Sequence, residues 1–448
     1  MSWQDTYKSR LTSAQEAAKI VKSGDCFWIP LALGQPSMLI MDAIADRKDE
    51  LKDVEFISCL AFRPYKIYNP EYRSAFKLIF GFLGTPVTIP FGKSEWAEYL
   101  PLQASESGTV KCAHRKRTFN RPMGMVMQVT PPDNHGFVNI GLDAFYTEGV
   151  MNQCDWIIAE VNPKMPRTYG QTNFHVSRFD AFVENPSDIP AVPTPKATKI
   201  EIKMAENVVS LLKDRDCVQI GIGAVPAMIS KLLEHSGLKD LGIHTEMAPA
   251  GSDRLVEKGV VTCKYKKLNP GKIVMAFSMG DEELYNWIAE NPMCEFRPTF
   301  YSNRIDVIAQ ENNVVAINGS IEVDLTGQIV SESIGDVMRT GTGGQLDFTI
   351  GSFWSPGGRA INLVPSTTMN DTVSRITPYI TEGARVTVPR HYAGYIVTEY
   401  GIADLYGRTE TERAEELIKI AHPKFREELE KGARKRGLLK KKIFQNLQ

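Results

Sequence analysis

Several features that would assign this chain to a special environment are missing. Its seven cysteines, at 26, 59, 112, 154, 217, 263 and 294, are odd in number and include no C-x-x-C pair. That argues against a disulfide framework or a zinc site, and for reduced thiols in a cytoplasmic protein. Net charge is also nearly absent, since 52 basic and 53 acidic residues leave −1. Such a balance gives no global attraction to nucleic acid or to an anionic membrane. The basic stretch from Lys431 to Lys442 reads as a solvated helix end and tail. Long apolar runs are lacking: the most apolar stretch, Trp28 to Met41, is interrupted by Gly34, Gln35 and Pro36 and is too short to span a bilayer. The first residues, Met-Ser-Trp-Gln-Asp, lack the charge-then-apolar pattern of a signal peptide. There is no G-x-S-x-G, no H-E-x-x-H and no cluster with metal-ligand spacing. No metal is therefore expected, and His175 and His244 read as structural histidines.

What is present is an α/β pattern. With 448 residues the chain exceeds what one compact core serves, and 43% hydrophobic with 23% charged residues is ordinary for globular proteins. Thr12 to Val21 has helical spacing after a Ser13 start signal. Cys26 to Leu31 reads as a strand, Met38 to Ala45 as a helix and Val54 to Cys59 as a strand. The same order returns later. Glu206 to Leu212 is helical, Cys217 to Ile220 a strand and Ala227 to Leu233 a helix. Lys22-Ser-Gly-Asp-Cys26 matches Lys213-Asp-Arg-Asp-Cys217, and Leu51-Lys-Asp53 matches Leu238-Lys-Asp240. Without further gaps, Cys59 falls opposite Glu246.

This predicts two similar open-sheet α/β domains from an internal duplication, although helix–turn–strand order also recurs by chance. Four prolines between Pro186 and Pro195 favour extended, semi-rigid backbone. The expected units are residues 1–185, a linker at 186–197, and 198–448 carrying the site. Val126–Thr130 and Phe137–Ile140, around the turn Pro131–Gly136, read as a hairpin. Trp156 to Val161 reads as a buried strand. Val314 to Val330 reads as two or three short strands, and Ala360–Val364 and Ala384–Val388 as further strands. Arg413 to Ile420 and Phe425 to Lys435 read as closing helices.

The candidate chemistry centres on Glu246, just past a short apolar run, where open α/β sheets place their ligands. A carboxylate in a tight site can attack a thioester carbonyl. Pattern alone leaves a surface or salt-bridged glutamate open. The loop Gly221-Ile-Gly-Ala-Val-Pro226 offers backbone N–H groups to an oxyanion or a phosphate, or is simply a tight strand–helix turn. Pro226 makes a dinucleotide fingerprint incomplete, which disfavours a dehydrogenase. Gly341-Thr-Gly-Gly-Gln-Leu-Asp-Phe348 is a second glycine loop suited to close backbone approach to a ligand.

Seven segments together are similar to the acetyl-CoA hydrolase/transferase family, over nearly the whole chain. They are Thr130–Gly136, Ala159–Thr168, His175-Val-Ser, Gly221–Pro226, His244-Thr-Glu-Met247, Gly341–Phe348 and Val397–Ala403. Within that family the chain looks most like the 4-hydroxybutyrate and butyrate:acetate CoA-transferases. The resemblance implies that Glu246 is the nucleophile and becomes a glutamyl-CoA thioester. It implies an oxyanion and CoA-contacting loop at Gly221, Ile222, Gly223, Ala224 and Val225. Ile321, Gly341, Gly343, Gly344 and Asp347 would lie against CoA, and Asn303 would support the glutamate and the carboxylate substrate. Coenzyme A would be a substrate, with no permanently bound cofactor. The partners would be acyl-CoA and short-chain carboxylates such as acetate, and the assembly a homodimer. The sequence departs from the family pattern at Met247–Ser252, Leu33–Pro36 and Leu78–Gly84, with bulky Phe80 and Phe82; these segments are candidates for the acyl pocket. A hydrolase using the same glutamate, and a CoA-binding sensor without turnover, are the rival readings.

Overall fold

The computed structural model describes residues 2–439 apart from 194 and 222. Two mainly parallel sheets organise it. The first has seven strands in the order 181–184, 156–161, 123–129, 26–28, 54–59, 76–82 and 97–99, every neighbouring pair parallel. The second has six, in the order 242–243, 217–220, 314–319, 359–363, 395–398 and 401–404, with only the last pair antiparallel. Parallel strands need crossovers and are buried on both faces, which explains their continuous apolar runs. Trp156–Val161 is buried at every position.

The duplication appears in the pairing. The Cys26 strand sits between those of Val54–Cys59 and Met123–Val129, with Cys26 opposite Glu55 and Met123. The Cys217 strand sits between those of Gly242–Ile243 and Val314–Gly319, with Cys217 opposite Gly242 and Val314. Glu55 to Cys59 and Gly242 to Glu246 are equal steps, so the two positions are structurally equivalent.

The halves are not independent. Tyr169–Gly170 of the first half pairs with Cys294–Phe296 in a three-stranded sheet completed by Ile273–Met275. A second crossing joins Leu142–Ala144 to Ala276–Ser278, through Ala144 N–H to Ala276 O (2.8 Å) and Ser278 N–H to Leu142 O (3.0 Å). One apolar core runs through both halves, from Trp28 and Met125 to Phe277 and Ile317.

Several local readings hold. Met38–Ala45 is a helix capped by Ser37, whose Oγ accepts from Leu39 N–H. Val54–Cys59 and Cys217–Ile220 are strands with the expected bounds. Others change. The helix expected over Thr12–Val21 is confined to Ala14–Ala18, capped by Ser13. The hairpin at 126–140 does not form: Met123–Val129 is an inner parallel strand, and Phe137–Asn139 pairs antiparallel with Asn173–His175. The polar Gln128 that suggested alternation is fully buried, its Oε1 accepting from Asn162 Nδ2 at 3.0 Å. The closing helices are Glu410–Ile420 and Arg426–Lys435, and the end of the basic stretch lies outside the described residues. Among those residues no helix is long and apolar enough to cross a membrane.

Candidate active site

Glu246 follows the short strand Gly242–Ile243 and is fixed first by its backbone. Its carbonyl accepts from Ala276 N–H (2.8 Å) and Phe277 N–H (3.0 Å). Its side chain keeps partial exposure at the meeting point of two spaces of opposite character. On one side is a cleft of about 280 Å³ in the second half. Gln219, Gly221, Asn318, Thr340 and the loop Gly341–Gln345 line it, with Leu60, Phe82 and Gly84 from the first half. No lysine or arginine lines this cleft among the described residues. On the other side is a narrow, partly open apolar pocket, walled by Leu31, Cys59, Phe82, Leu102, Phe145 and Phe277.

A chain of hydrogen bonds aims the carboxylate. Asn303, at the end of the short helix Thr299–Ser302, donates from Nδ2 to Glu246 Oε2 at 2.7 Å. Ser302 Oγ–H donates to Asn303 Oδ1 at 2.8 Å, which turns the amide nitrogen toward the glutamate. His244 Nε2 lies 2.8 Å from Ser302 O. A carbonyl only accepts, so the imidazole is the Nε2–H tautomer, and burial, reinforced by Lys266, pushes its pKa down to about 3. Thr299 N–H and Oγ donate to Phe145 O (2.8 and 2.9 Å), tying this helix to the wall of the apolar cavity.

Burial raises the Glu246 carboxyl to about 8. The Asn303 hydrogen bond opposes that rise, nearby Asp347 adds to it, and a Gly344 backbone hydrogen bond again opposes it. Asp347 itself is pushed up to about 6 by burial.

The glycine loop owes its composition to close approach. A Cβ on Gly344 would collide with Glu246 Oε2 and with Asn303 Nδ2. Opposite it, a Cβ on Gly81 would collide with Leu102 and stand 2.8 Å from Cys59 Sγ. Glycine at these two positions lets backbone reach the carboxylate from one half and the cavity wall from the other.

Descriptions of one family match this chain twice. The acetyl-CoA hydrolase/transferase N-terminal domain matches residues 1–193 and the C-terminal domain residues 280–433. The chain belongs to the acetyl-CoA hydrolase/transferase family. It is 37% identical to the 4-hydroxybutyrate coenzyme A transferase of Clostridium kluyveri, covering 97% of this chain and 100% of that one. It is 33% identical to the butyryl-CoA:acetate CoA-transferase of Anaerostipes caccae, over 97% of this chain and 98% of the relative. The structure of RipA from Yersinia pestis superposes with a TM-score of 0.88 at 32% identity, covering 98% of this chain and 100% of that one. The acetyl-CoA hydrolase of Yarrowia lipolytica, by contrast, matches at 28% over 47% of this chain and 39% of its own. Within the family the chain is a CoA-transferase.

Set against the expectations for this family, the structure gathers some residues and disperses others. Glu246, Asn303, Gly343 and Gly344 are brought together, and Gly221 and Gly341 line the same cleft. Gly223 lines a smaller hollow beneath the proline-rich segment, and Ala224 and Val225 open the helix Ala224–Leu233. Ile222 lies outside the described residues. Two placements depart from expectation. Asp347 turns from the cleft, because it sits in the first turn of the helix Gln345–Trp354. It accepts there from Gln103 Nε2, from Ser105 N–H (3.0 Å) and from Ser105 Oγ (2.7 Å). Ile321 is not among the lining residues, and its N–H is taken by Val330 O at 2.8 Å. Phe80 likewise points to the far face, stacked on Phe91 at 5.0 Å, whereas Phe82 and Gly81 line the cavity.

Other segments that carry the family resemblance are scaffolding. Arg167 donates to Thr130 Oγ1 (2.9 Å), Pro131 O (3.0 Å) and Phe137 O (3.1 Å), locking two of those segments together away from Glu246. Three features escaped the sequence reading. Gln219 and Asn318 exchange amide hydrogen bonds (3.0 and 3.2 Å) on the cleft wall. Leu102 and Phe145 wall the cavity. Asp143, pushed up to about 7 by burial, accepts from Leu31 N–H (2.7 Å) and Phe145 N–H (2.8 Å) and so sets two of its walls. A lone buried aspartate has no sequence signature; only Gln219, at the end of a legible strand, had any.

Proposed function

We propose that the enzyme moves CoA between a short-chain acyl-CoA and acetate by a ping-pong mechanism through a glutamyl-CoA thioester. Butyryl- and 4-hydroxybutyryl-CoA are the acyl donors its relatives' names suggest. Ionised Glu246 attacks the thioester carbonyl carbon, the C–S bond breaks and CoA thiolate leaves, giving a mixed anhydride. The thiolate then attacks the glutamyl carbonyl carbon. The first acid leaves with the oxygen that Glu246 supplied, and glutamyl-CoA remains. A second carboxylate attacks glutamyl-CoA and the steps run in reverse.

The observation that carries this reading is a half-buried carboxylate, oriented by Asn303, between a polar cleft and an apolar pocket. The acyl group would occupy the cavity and the thiol arm of CoA the cleft. Backbone N–H groups of the loop Gly341–Gly344, which lies against Glu246, would stabilise the oxyanion, a contribution of about 10²–10³ in rate. Binding energy from the remote part of CoA would offset the cost of stripping water from the glutamate.

The working unit is a cytoplasmic homodimer, each protomer divided at the linker 186–197. Sedimentation equilibrium reads the dimer directly.

Intact mass after incubation with butyryl-CoA tests the mechanism. An adduct of CoA less water is expected, converted by borohydride to an alcohol on the peptide holding Glu246, and absent in Glu246→Ala. Unmodified enzyme with unconsumed acyl-CoA would overturn it. Rapid thiol release without an acceptor acid would instead favour the hydrolase reading.

A further inference from the structure

We infer that Asp347 is a positioning residue, which fixes the glycine loop against Glu246 by clamping it to the first half of the chain. This rests on the transferase reading and deepens it. Asp347 is fully buried in the first turn of the helix Gln345–Trp354. Its Oδ1 accepts from Gln103 Nε2 and from Ser105 Oγ (2.7 Å), and its Oδ2 from Ser105 N–H (3.0 Å). Between those two residues, Ala104 N–H donates to Gly343 O at 2.9 Å. Three consecutive residues of the first half therefore grip the second half at Gly343 and at Asp347, on either side of Gly344.

Gly344 is the point of contact with the chemistry. Its backbone hydrogen-bonds the Glu246 carboxylate, and a Cβ on it would strike Glu246 Oε2 and Asn303 Nδ2. It has no side chain with which to anchor itself, and Gly343 before it lies in the left-handed region at φ +53°. Its position must come from its neighbours. Phe348 N–H donates to Gly344 O at 2.9 Å, so the helix that carries Asp347 carries the glycine with it.

Packing alone does not call for a charge at this place. The donors to Asp347 are neutral, and burial pushes its carboxyl up to about 6. An apolar or amide side chain of similar volume would avoid the cost of burying a charge. What the carboxylate adds is two oxygens that only accept, where an amide nitrogen would face another donor. The charged groups facing Asp347 are Glu106 and Glu246, and Asp347 in turn helps to hold the Glu246 carboxyl up.

The test is Asp347→Asn, with rates expressed per enzyme able to form the CoA adduct, so that misfolded protein drops out. Its kcat/KM at high pH should fall by at least about tenfold, toward the scale of about 10² for a reacting group misplaced by about 1 Å. The Glu246 inflection should also move below 8, because a negative charge that disfavours its ionisation is gone. A residue that only stabilised the fold would lower Tm and leave that inflection in place. Ser105→Ala removes one donor and keeps the carboxylate. It should lower the rate by a smaller factor, and add nothing once Asp347→Asn is present. If Asp347→Asn does not fold, Ser105→Ala and Gln103→Ala carry the test. High-pH rates within about twofold of the parent, or losses from Asp347→Asn and Ser105→Ala that simply multiply, overturn the inference.

No transfer by the unaltered enzyme sinks the transferase reading instead. The clamp is then read from stability, as the pH near 8 at which the Tm values of the parent and Glu246→Gln stop diverging. That pH should drop when both carry Asp347→Asn, and an unmoved value overturns the inference on this route too.

Discussion

Cys59 and Glu246 occupy the same place in two copies of one strand arrangement, and both face the same cavity. Their surroundings make opposite use of that place. The thiol is pushed to about 12, a neutral wall element. The carboxylate is pushed from 4.5 to about 8, a rise comparable to the thiol's, with Asn303 and Gly344 offsetting part of it as Tyr146, Gly81 and Phe82 do for the thiol. Equivalent position is thus not equivalent chemistry: a similar rise leaves the thiol neutral and the carboxylate able to ionise, and Asn303 and Gly344 are the donors that hold the carboxylate in place. In this fold those donors come from later in the second half, after the sheet position itself has been set.

Four experiments would break or sharpen that contrast. The largest effect should come from Gly344→Ala, whose methyl group would displace both Glu246 and Asn303. A loss of about 10² or more in kcat/KM is expected, the scale for misplacing a reacting group by about 1 Å. Unchanged steady-state rates would mean that the loop moves away in the working enzyme.

Asn303→Ala should cost about 10- to 100-fold, since a hydrogen bond to a charged group contributes about 1.5–3 kcal/mol. Its kinetic pKa for Glu246 should also move upward, because a contact that favours the ionised form is gone. An unshifted pH profile would deny Asn303 that part.

The third experiment uses pH. Only ionised Glu246 is nucleophilic, so kcat/KM should rise with pH through an inflection near 8. Stability should run the other way. The folded carboxyl sits above its unfolded value of 4.5, so the native state holds the extra proton between pH 4.5 and about 8, and stability falls across that window. In Glu246→Gln that slope is absent, so its Tm should exceed the parent's by a margin that grows from pH 5 to pH 8. Parallel Tm curves would refute the buried, charge-averse glutamate.

The smallest effect belongs to Cys59→Ala, where kcat with the best donor should stay within about tenfold of the parent, as for a truncation that removes packing and no reacting group. A loss as large as that of Glu246→Ala would end the contrast.

Much of this arrangement was legible in the sequence because turn residues and matching tripeptides bracket each copy. Lys-Asp before Val54 and before Leu241 marked equivalent strand entries, and the glycine run at 341–344 marked close approach. The hairpin misreading came from judging Gln128 by its polarity, when Asn162 from a neighbouring segment satisfies it in the core. Asp347, which the resemblance places against CoA, is turned by the first turn of its helix toward Gln103 and Ser105, a direction that no local spacing shows. The walls Leu102 and Phe145 were invisible because they exist only where the two halves meet, a relation that no local spacing encodes.

The strand Tyr169–Gly170 has a further consequence for the proline-rich segment. Its glycine lies so close to Phe296 that a side chain there would strike the Phe296 backbone. A protease cut within 186–197 would therefore leave two fragments interleaved as one particle. Expressed alone, the first fragment would carry Tyr169–Gly170 without its partner and the second would leave an edge of Cys294–Phe296 bare, each an invitation to aggregate. Activity should return only when the two are refolded together.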